Sequence, residues 1–234
     1  RLRSSGDSAN KSGIWQLSES QLQDLKPAQV FWDDWVPRLL LQGPSVTQET
    51  LLAHLRSYVG IKKLELFGCT QLEAGALNCL KDFPGLQAIK LNFCPQLDQT
   101  DYQALVQLPH LKRLVVKRCS LGEASAFDQK EPFRELQSLE LGGLKTLSEQ
   151  AIRAVSRYPK LVHLKLSRIE NLSESEIKPL LSHKKLRYLE IKHCPNLCFE
   201  LGNLWFLLDR LAYLNLGYNG PLNTRRLVQV LDRL

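Results

Sequence analysis

Apolar residues recur along this chain with a period of 25 residues. Each unit is apolar at its first, fourth and sixth positions, and the units begin at Ile61, Leu86, Leu111, Leu136, Leu161, Leu186 and Leu211. The fourth and sixth positions follow the alternation of a strand with one buried face. Further along, apolar residues at three- to four-residue spacing predict a helix, as at Ile177 and Leu180 behind a capping box of Ser173 and Glu176. Six equal intervals without an insertion therefore indicate a stack of strand-turn-helix repeats.

The ninth position of each unit comes where the chain turns inward after the strand. It is occupied by Cys69, Cys94, Cys119, Leu144, Ile169, Cys194 and Asn219. A side chain at this point must satisfy backbone groups that the strand ladder does not reach, and Cys or Asn can do so. The alternative is metal or redox chemistry by stacked thiols, but no His has ligand spacing and the pair of Cys194 and Cys198 lacks a second pair. We therefore predict structural, unpaired thiols in a reducing compartment such as the cytoplasm, with no metal and no cofactor.

The pattern L-x-x-L-x-L-x-x-C-x-x-L followed by a capped helix resembles the cysteine-containing leucine-rich repeats. The resemblance implies an α/β leucine-rich-repeat solenoid that is right-handed, with parallel strands on its concave face and helices on its convex face. Similar repeats serve as substrate-recognition arms of F-box ubiquitin ligases, and also occur in bacterial effectors and in mitochondrial assembly factors. The repeat is specific for fold and not for function. Residues 14–35 are too short for an F-box, so a ligase role requires a domain beyond this sequence.

The rest of the chain predicts a simple domain order. Residues 1–13 indicate a disordered tail, residues 14–35 an amino-terminal cap in which Trp15, Trp32 and Trp35 cover the core, and residues 36–60 a degenerate first repeat. Residues 61–234 hold seven 25-residue repeats. Pro37 suits an edge strand without a neighbour on its outer side. Because the chain starts at Arg1 and contains no Met, we expect it to be part of a longer protein.

In this register, the third, fifth, seventh and eighth residues of each unit point outward and form a concave surface. They include eight Lys or Arg and three Glu, whereas the whole chain carries a net charge of +7. Aromatic side chains beside Arg are typical of binding hot spots, and Gly142 with Gly143 would let a partner's backbone come close. The predicted partner-binding residues are Phe67, Lys90, Phe93, Arg113, Lys117, Arg118, Lys165, Arg168, Tyr188, Lys192, Tyr213 and Tyr218.

These observations predict a protein-interaction module that holds an acidic or polar segment of its partner. The competing hypothesis is a nucleic-acid or phosphate binder, which the interleaved Glu65, Glu140 and Glu190 disfavour. The sequence contains no nucleotide-binding or hydrolase motif, and no apolar stretch long enough to span a membrane, so we expect neither an enzyme nor a membrane span. The histidines are expected at solvated or binding positions, and the sequons at Asn10 and Asn171 are expected to be unused.

Overall fold

The structure is a computed structural model, and it describes residues 28–33, 36–58, 60–119, 133–144, 147, 149–197 and 210–220. Their strands are β1 (Ala28–Asp33), β2 (Val36–Gln42), β3 (Lys63–Phe67), β4 (Ala88–Asn92), β5 (Arg113–Lys117), β6 (Ser138–Gly142), β7 (His163–Ser167), β8 (Tyr188–Lys192) and β9 (Tyr213–Asn215). The helices are α1 (Gln48–Ser57), α2 (Gln99–Val106), α3 (Glu149–Ser156) and α4 (Glu174–Ile177), with 3-10 helices at Ala76–Asp82 and Lys178–Ser182. From β2 to β5 and from β6 to β8, strands and helical segments thus alternate as the 25-residue period predicts.

The strands of the described residues lie in one sheet, in chain order from β1 to β9. From β2 onward all neighbours are parallel, and their register is the period itself, so that Leu64 pairs with Ile89 and Ile89 with Leu114. Because equivalent residues stand side by side, the apolar fourth and sixth positions form rows across the strands, and the described apolar residues of the first, ninth and twelfth positions are buried with them. These rows and the buried helix residues form a single apolar cluster, which places the helices on one face of the sheet.

The amino-terminal edge differs from the expectation. Residues 28–33, which were assigned to the cap, form β1 and pair antiparallel with β2, with Trp32 opposite Pro37. The strand that contains Pro37 is therefore not the edge strand, and that prediction is wrong. A proline is compatible with this place because only every second residue of an antiparallel strand donates across a given edge. The predicted tail, Trp15, Trp35, Cys198 and Asn10 lie outside the described residues.

The ninth-position cysteines are buried, and they and the half-buried Asn219 bond to backbone, as the predicted role requires. The thiol of Cys69 donates to the carbonyl of Leu41 at 3.6 Å, and the Asn219 amide donates to Ile191 O at 2.7 Å. The Asn219 Oδ1 atom also accepts the Cys194 amide at 2.9 Å. Within the described part of the chain the cysteines are free. Hydrogen bonding to Cys94 and burial both raise the pKa of Cys69, so its thiol stays neutral.

Two further contacts join neighbouring repeats. The Asp101 carboxylate, fully buried, accepts the backbone amides of Gly75, Leu77 and Asp98 at 2.7–3.0 Å, so it ties α2 to the start of the preceding 3-10 helix. Burial raises the pKa of Asp101, against the pull of these three hydrogen bonds. The Asn171 side chain accepts the Leu147 amide and donates to its carbonyl, at 2.8 and 3.1 Å.

The helical segments are less uniform than the pattern suggests. In the unit that starts at Ile61 the segment Ala76–Asp82 is a 3-10 helix, entered through Gly75 at φ 81°. The capping box of Ser173 and Glu176 is confirmed, since the Ser173 amide donates to Glu176 Oε2 at 2.8 Å. It begins only one turn of α-helix, because a 3-10 segment with Pro179 in its first turn follows directly.

Candidate functional site

The sheet face opposite the helices carries the third, fifth and seventh residue of each repeat, and we call it the open face. The eighth residues follow each strand along one side of the open face, and we call them the rim. All twelve predicted partner-binding residues stand on these two surfaces. The parallel register aligns them in rows across the strands, for example Arg113, Ser138, His163 and Tyr188 in the third-position row.

Most lysines of the open face are paired with the three glutamates. Lys117 Nζ lies 2.6 Å from the Glu140 carboxylate. Lys165 Nζ and Lys192 Nζ lie 3.9 Å and 3.4 Å from the Glu190 carboxylate. Lys90 Nζ lies 3.6 Å from the Glu65 carboxylate, which also binds Arg38. The predicted cluster of seven basic residues is thus partly neutralised by its own neighbours.

Three arginines on these surfaces form no ion pair with any described residue. Arg113 lies on the open face, while Arg118 and Arg168 belong to the rim, and all three side chains are exposed. Arginine presents a planar fork of donors that matches a carboxylate or phosphate. The positive charge available to a partner is therefore concentrated on these arginines and not spread over the lysines.

The rim has one backbone conformation throughout the described chain. Its residues have φ between 51° and 99°: Gly43, Gly68, Phe93, Arg118, Gly143, Arg168, His193 and Tyr218. The amide of a rim residue donates to the seventh residue of the next repeat, as from Arg118 N to Gly142 O at 2.8 Å. This left-handed turn ends the strand and lets the chain enter the core at the ninth position. The sequence contained a signal for it, the repeated glycine at Gly43, Gly68 and Gly143.

The sequence suggested that Gly142 and Gly143 open the sheet to a partner's backbone. In the structure they do not. A Cβ atom on Gly142 would lie 2.6 Å from Ser167 Oγ, and one on Gly143 would lie 2.8 Å from the Arg118 Cγ atom. Gly142 is buried. The missing side chains are replaced by those of the neighbouring repeats, so these glycines provide the space in which Ser167 and the Arg118 stem lie.

Exposed aromatic side chains occupy both ends of the open face and rim. Phe67 and Phe93, each 50% exposed, lie near the amino-terminal end, whereas Tyr188, Tyr213 and Tyr218 are 41%, 44% and 80% exposed near the other end. These five are all the exposed large hydrophobic side chains among the described residues. A binding surface is the usual reason to leave such side chains in water together.

Two histidines, which the sequence analysis did not assign to the site, belong to it. His163 stacks on Tyr188 with ring centroids 4.2 Å apart, and His193 stacks on Tyr218 at 4.8 Å. Desolvation lowers the pKa of His163, helped by the positive charges of Lys165 and Arg113. A shallow depression in this part of the open face is lined by His163, Leu164, Lys165, Tyr188, Glu190 and Tyr213.

His183 contradicts the expectation that the histidines are solvated or surface-binding. It is 5% exposed, its Nε2 lies 3.0 Å from the Tyr158 carbonyl, and its Nδ1 accepts the Leu186 amide at 3.1 Å. The neutral ring thus bridges two turns, and desolvation lowers its pKa. It follows the last helical turn of its repeat, at the position where other repeats have Tyr158 or Phe133, so the buried location matches the register.

Comparison with solved structures assigns the fold. The structure of a TLR13-ssRNA13 complex matches 78% of this chain with a TM-score of 0.50 and 22% sequence identity. An internalin (inlF) from Listeria monocytogenes matches 79% of the chain with a TM-score of 0.48 and 19% identity. The matched regions span 28% and 48% of those longer chains. No protein-family model and no curated protein sequence matches this chain.

No helix among the described residues is long and apolar enough to cross a bilayer. The parallel ladder in a 25-residue register, the single apolar cluster and the likeness to the TLR13 structure agree on one architecture. The chain is a leucine-rich-repeat solenoid of the α/β class.

Proposed function

We propose that this chain is a protein-interaction module whose open face and rim bind an acidic segment of another protein. One observation carries the proposal: the exposed large aromatics of the described residues all stand on these two surfaces, beside three arginines that form no ion pair with a described residue. Aromatic and arginine side chains together provide most of the binding energy in protein interfaces. Unpaired positive charge accelerates the approach of an acidic partner and opposes basic ones.

The biological setting is part of the proposal. A substrate-recognition arm of a ubiquitin ligase, a bacterial effector and an organelle assembly factor all use such modules, and each would employ the same surface. The free, buried thiols of the ninth-position ladder support a reducing intracellular compartment. Affinity capture of the full-length protein from its native cells distinguishes the settings, because co-purification of a ligase adaptor is expected only for the first.

The test of the binding surface is charge reversal at the unpaired arginines. Arg113→Glu, Arg118→Glu and Arg168→Glu in one chain should abolish capture of the partner while the circular dichroism spectrum stays unchanged. The matched control reverses three exposed cations on the helix side, Lys81, Arg157 and Lys184, and should bind normally. If the two triple variants capture the partner equally well, the open face and rim are not the binding surface.

A second candidate is binding of single-stranded nucleic acid. Stacked rings such as His163 on Tyr188, close to arginines, are a common platform for unpaired bases, and one structural neighbour was solved in complex with ssRNA13. The glutamates of the open face disfavour this function because they repel phosphates. It predicts that a short RNA binds and loses affinity steeply between roughly 50 and 200 mM salt. Absence of binding at the lower concentration would exclude it.

A further inference from the structure

The side chains of the rim do not suit the backbone that carries them. All eight described rim positions have positive φ, and glycine is the residue that this conformation favours. Five of them nevertheless carry large side chains: Phe93, Arg118, Arg168, His193 and Tyr218. Except for histidine, these residue types rarely adopt the left-handed region.

Burial does not explain the choice of residue at these positions. All five side chains are exposed, Phe93 at 50% and Tyr218 at 80%, so packing against the core does not compensate for the strained backbone. The repeats with Gly43, Gly68 and Gly143 make the same turn with the same kind of amide hydrogen bond. The fold itself therefore does not need a side chain at the rim, which indicates that these side chains are kept for a contact outside the chain.

Their spacing indicates the shape of the contact. Neighbouring strands lie about 4.8 Å apart, so Arg118 and Arg168, two repeats apart, are separated by about 10 Å. From Phe93 to Tyr218 the rim extends about 24 Å, which an extended peptide of about seven residues can follow. If this extended peptide is polyproline-II-like, with three residues per turn and a rise of about 3.1 Å per residue, carboxylates three residues apart lie on one face about 9 Å apart and would meet both arginines. Gly143 lies between the two arginines, and the Arg118 stem packs over it.

We propose that the rim is a recognition strip for an extended, acidic polypeptide segment that crosses the strands. Two carboxylates of the segment bind Arg118 and Arg168, and apolar side chains at its ends pack on Phe93 and on the His193–Tyr218 stack. This inference rests on the proposed protein-binding function and names the part of the surface and the chemistry of its partner. A single-stranded nucleic acid fits less well, because it has a phosphate at every nucleotide and the rim offers two cations.

The first test uses the two arginines and both consequences of the proposal. Arg118→Gly with Arg168→Gly should raise Tm by roughly 1–6 °C, since the strained backbone is relieved at two sites, with part of the gain offset by the freer unfolded chain. The same variant should bind an acidic probe at least tenfold more weakly. Arg118→Gln with Arg168→Gln retains the strain and loses the charge, so it should lose the binding without the rise in Tm.

The probe is a fluorescein-labelled peptide of about twelve residues, with two Glu spaced three residues apart and a Leu or Tyr at either end. Its affinity is measured by fluorescence anisotropy against the full 234-residue chain. A peptide with Gln in place of both Glu should not bind, and one with the two Glu adjacent should bind severalfold more weakly. The helix-side variant Arg157→Gln with Lys184→Gln should bind like the wild-type chain.

Four outcomes overturn the inference. The first is that the acidic peptide does not bind the wild-type chain, and the second is that an unstructured oligouridine of the same length binds in preference to it. The third is that glycine at the two sites lowers Tm. The fourth concerns a triple variant of the open face, Arg113→Glu with Tyr188→Ala and Tyr213→Ala: it abolishes binding while the glycine variant binds normally. The proposed function would then stand, but the rim would not be its site. If neither variant loses binding, the proposed function fails as well.

Discussion

The buried aspartate between two repeats provides the sharpest test of how this array is held together. Asp101 accepts three backbone amides with no exposure to solvent, so Asp101→Ala leaves the amides of Gly75, Leu77 and Asp98 without this acceptor. A hydrogen bond to a charged group contributes about 1.5–3 kcal/mol, but part of that sum is offset because the wild-type chain must desolvate the carboxylate. We expect Asp101→Ala to lower the free energy of unfolding by about 3–5 kcal/mol.

The isosteric variant separates shape from hydrogen bonding. In Asp101→Asn one side-chain atom becomes a donor, and it must face a backbone donor whichever way the amide is turned, so the loss should be at least half that of alanine. Asp98→Ala is the matched control: it removes a half-exposed N-cap side chain three residues away and should cost about 1 kcal/mol. Urea unfolding followed by circular dichroism gives the free energies, and hydrogen exchange at the Gly75 and Leu77 amides locates the effect. Equal costs for Asp98→Ala and Asp101→Ala would refute the reasoning.

Three further predictions concern single side chains. Desolvation lowers the pKa of His183 in the folded state, so as the pH falls through the unfolded value of 6.5 the unfolded chain binds the proton first. Stability should therefore fall as the pH drops below about 7, and His183→Gln should flatten that slope in thermal melts; an unchanged slope would contradict this. Gly142→Ala places a Cβ atom 2.6 Å from Ser167 Oγ and should cost about 1–3 kcal/mol in urea unfolding, with part recovered by adding Ser167→Ala; no loss would mean that the sheet yields freely. Glu190→Gln removes the carboxylate that pairs with Lys165 and Lys192, so the affinity for the acidic peptide, measured by anisotropy, should rise about two- to fivefold with little change in Tm. Unchanged affinity would mean that these lysines do not reach the peptide.

The repeat architecture could be predicted from the sequence because one rule fixes every unit. A period of 25 with apolar first, fourth and sixth positions leaves a single register in which Leu64, Ile89 and Leu114 stand side by side, and the sheet has that register. The ninth-position role was also predictable, since a turn that enters the core must satisfy backbone groups. Whether a repeat has an α-helix or a 3-10 helix was not predictable. The left-handed residue Gly75 that precedes the 3-10 helix and the acceptor Asp101 that binds it both depend on contacts between repeats.

The residues of the open face and rim were predictable from the register, but the distribution of charge among them was not. Lysines and glutamates on neighbouring strands lie within reach of each other only once the register is known, and then Lys117 meets Glu140 and Lys192 meets Glu190. Counting charges along the chain treats all of these as free. The positive φ of Phe93 could not be predicted from a phenylalanine at that position. Only the glycines at the same position of other repeats indicated it.

The paired lysines and the unpaired arginines have different consequences for an acidic partner. An exposed ion pair contributes about 0–1 kcal/mol, so a partner that displaces Glu140 from Lys117 loses nearly as much as it gains. A carboxylate that binds Arg118 or Arg168 displaces no carboxylate of the described residues, and it gains a bidentate hydrogen bond. Selectivity should therefore follow the two arginines and the rings near them, and the lysines should mainly govern how fast an acidic partner arrives. This division would allow a face with three glutamates to select for negative charge, as the proposed function requires.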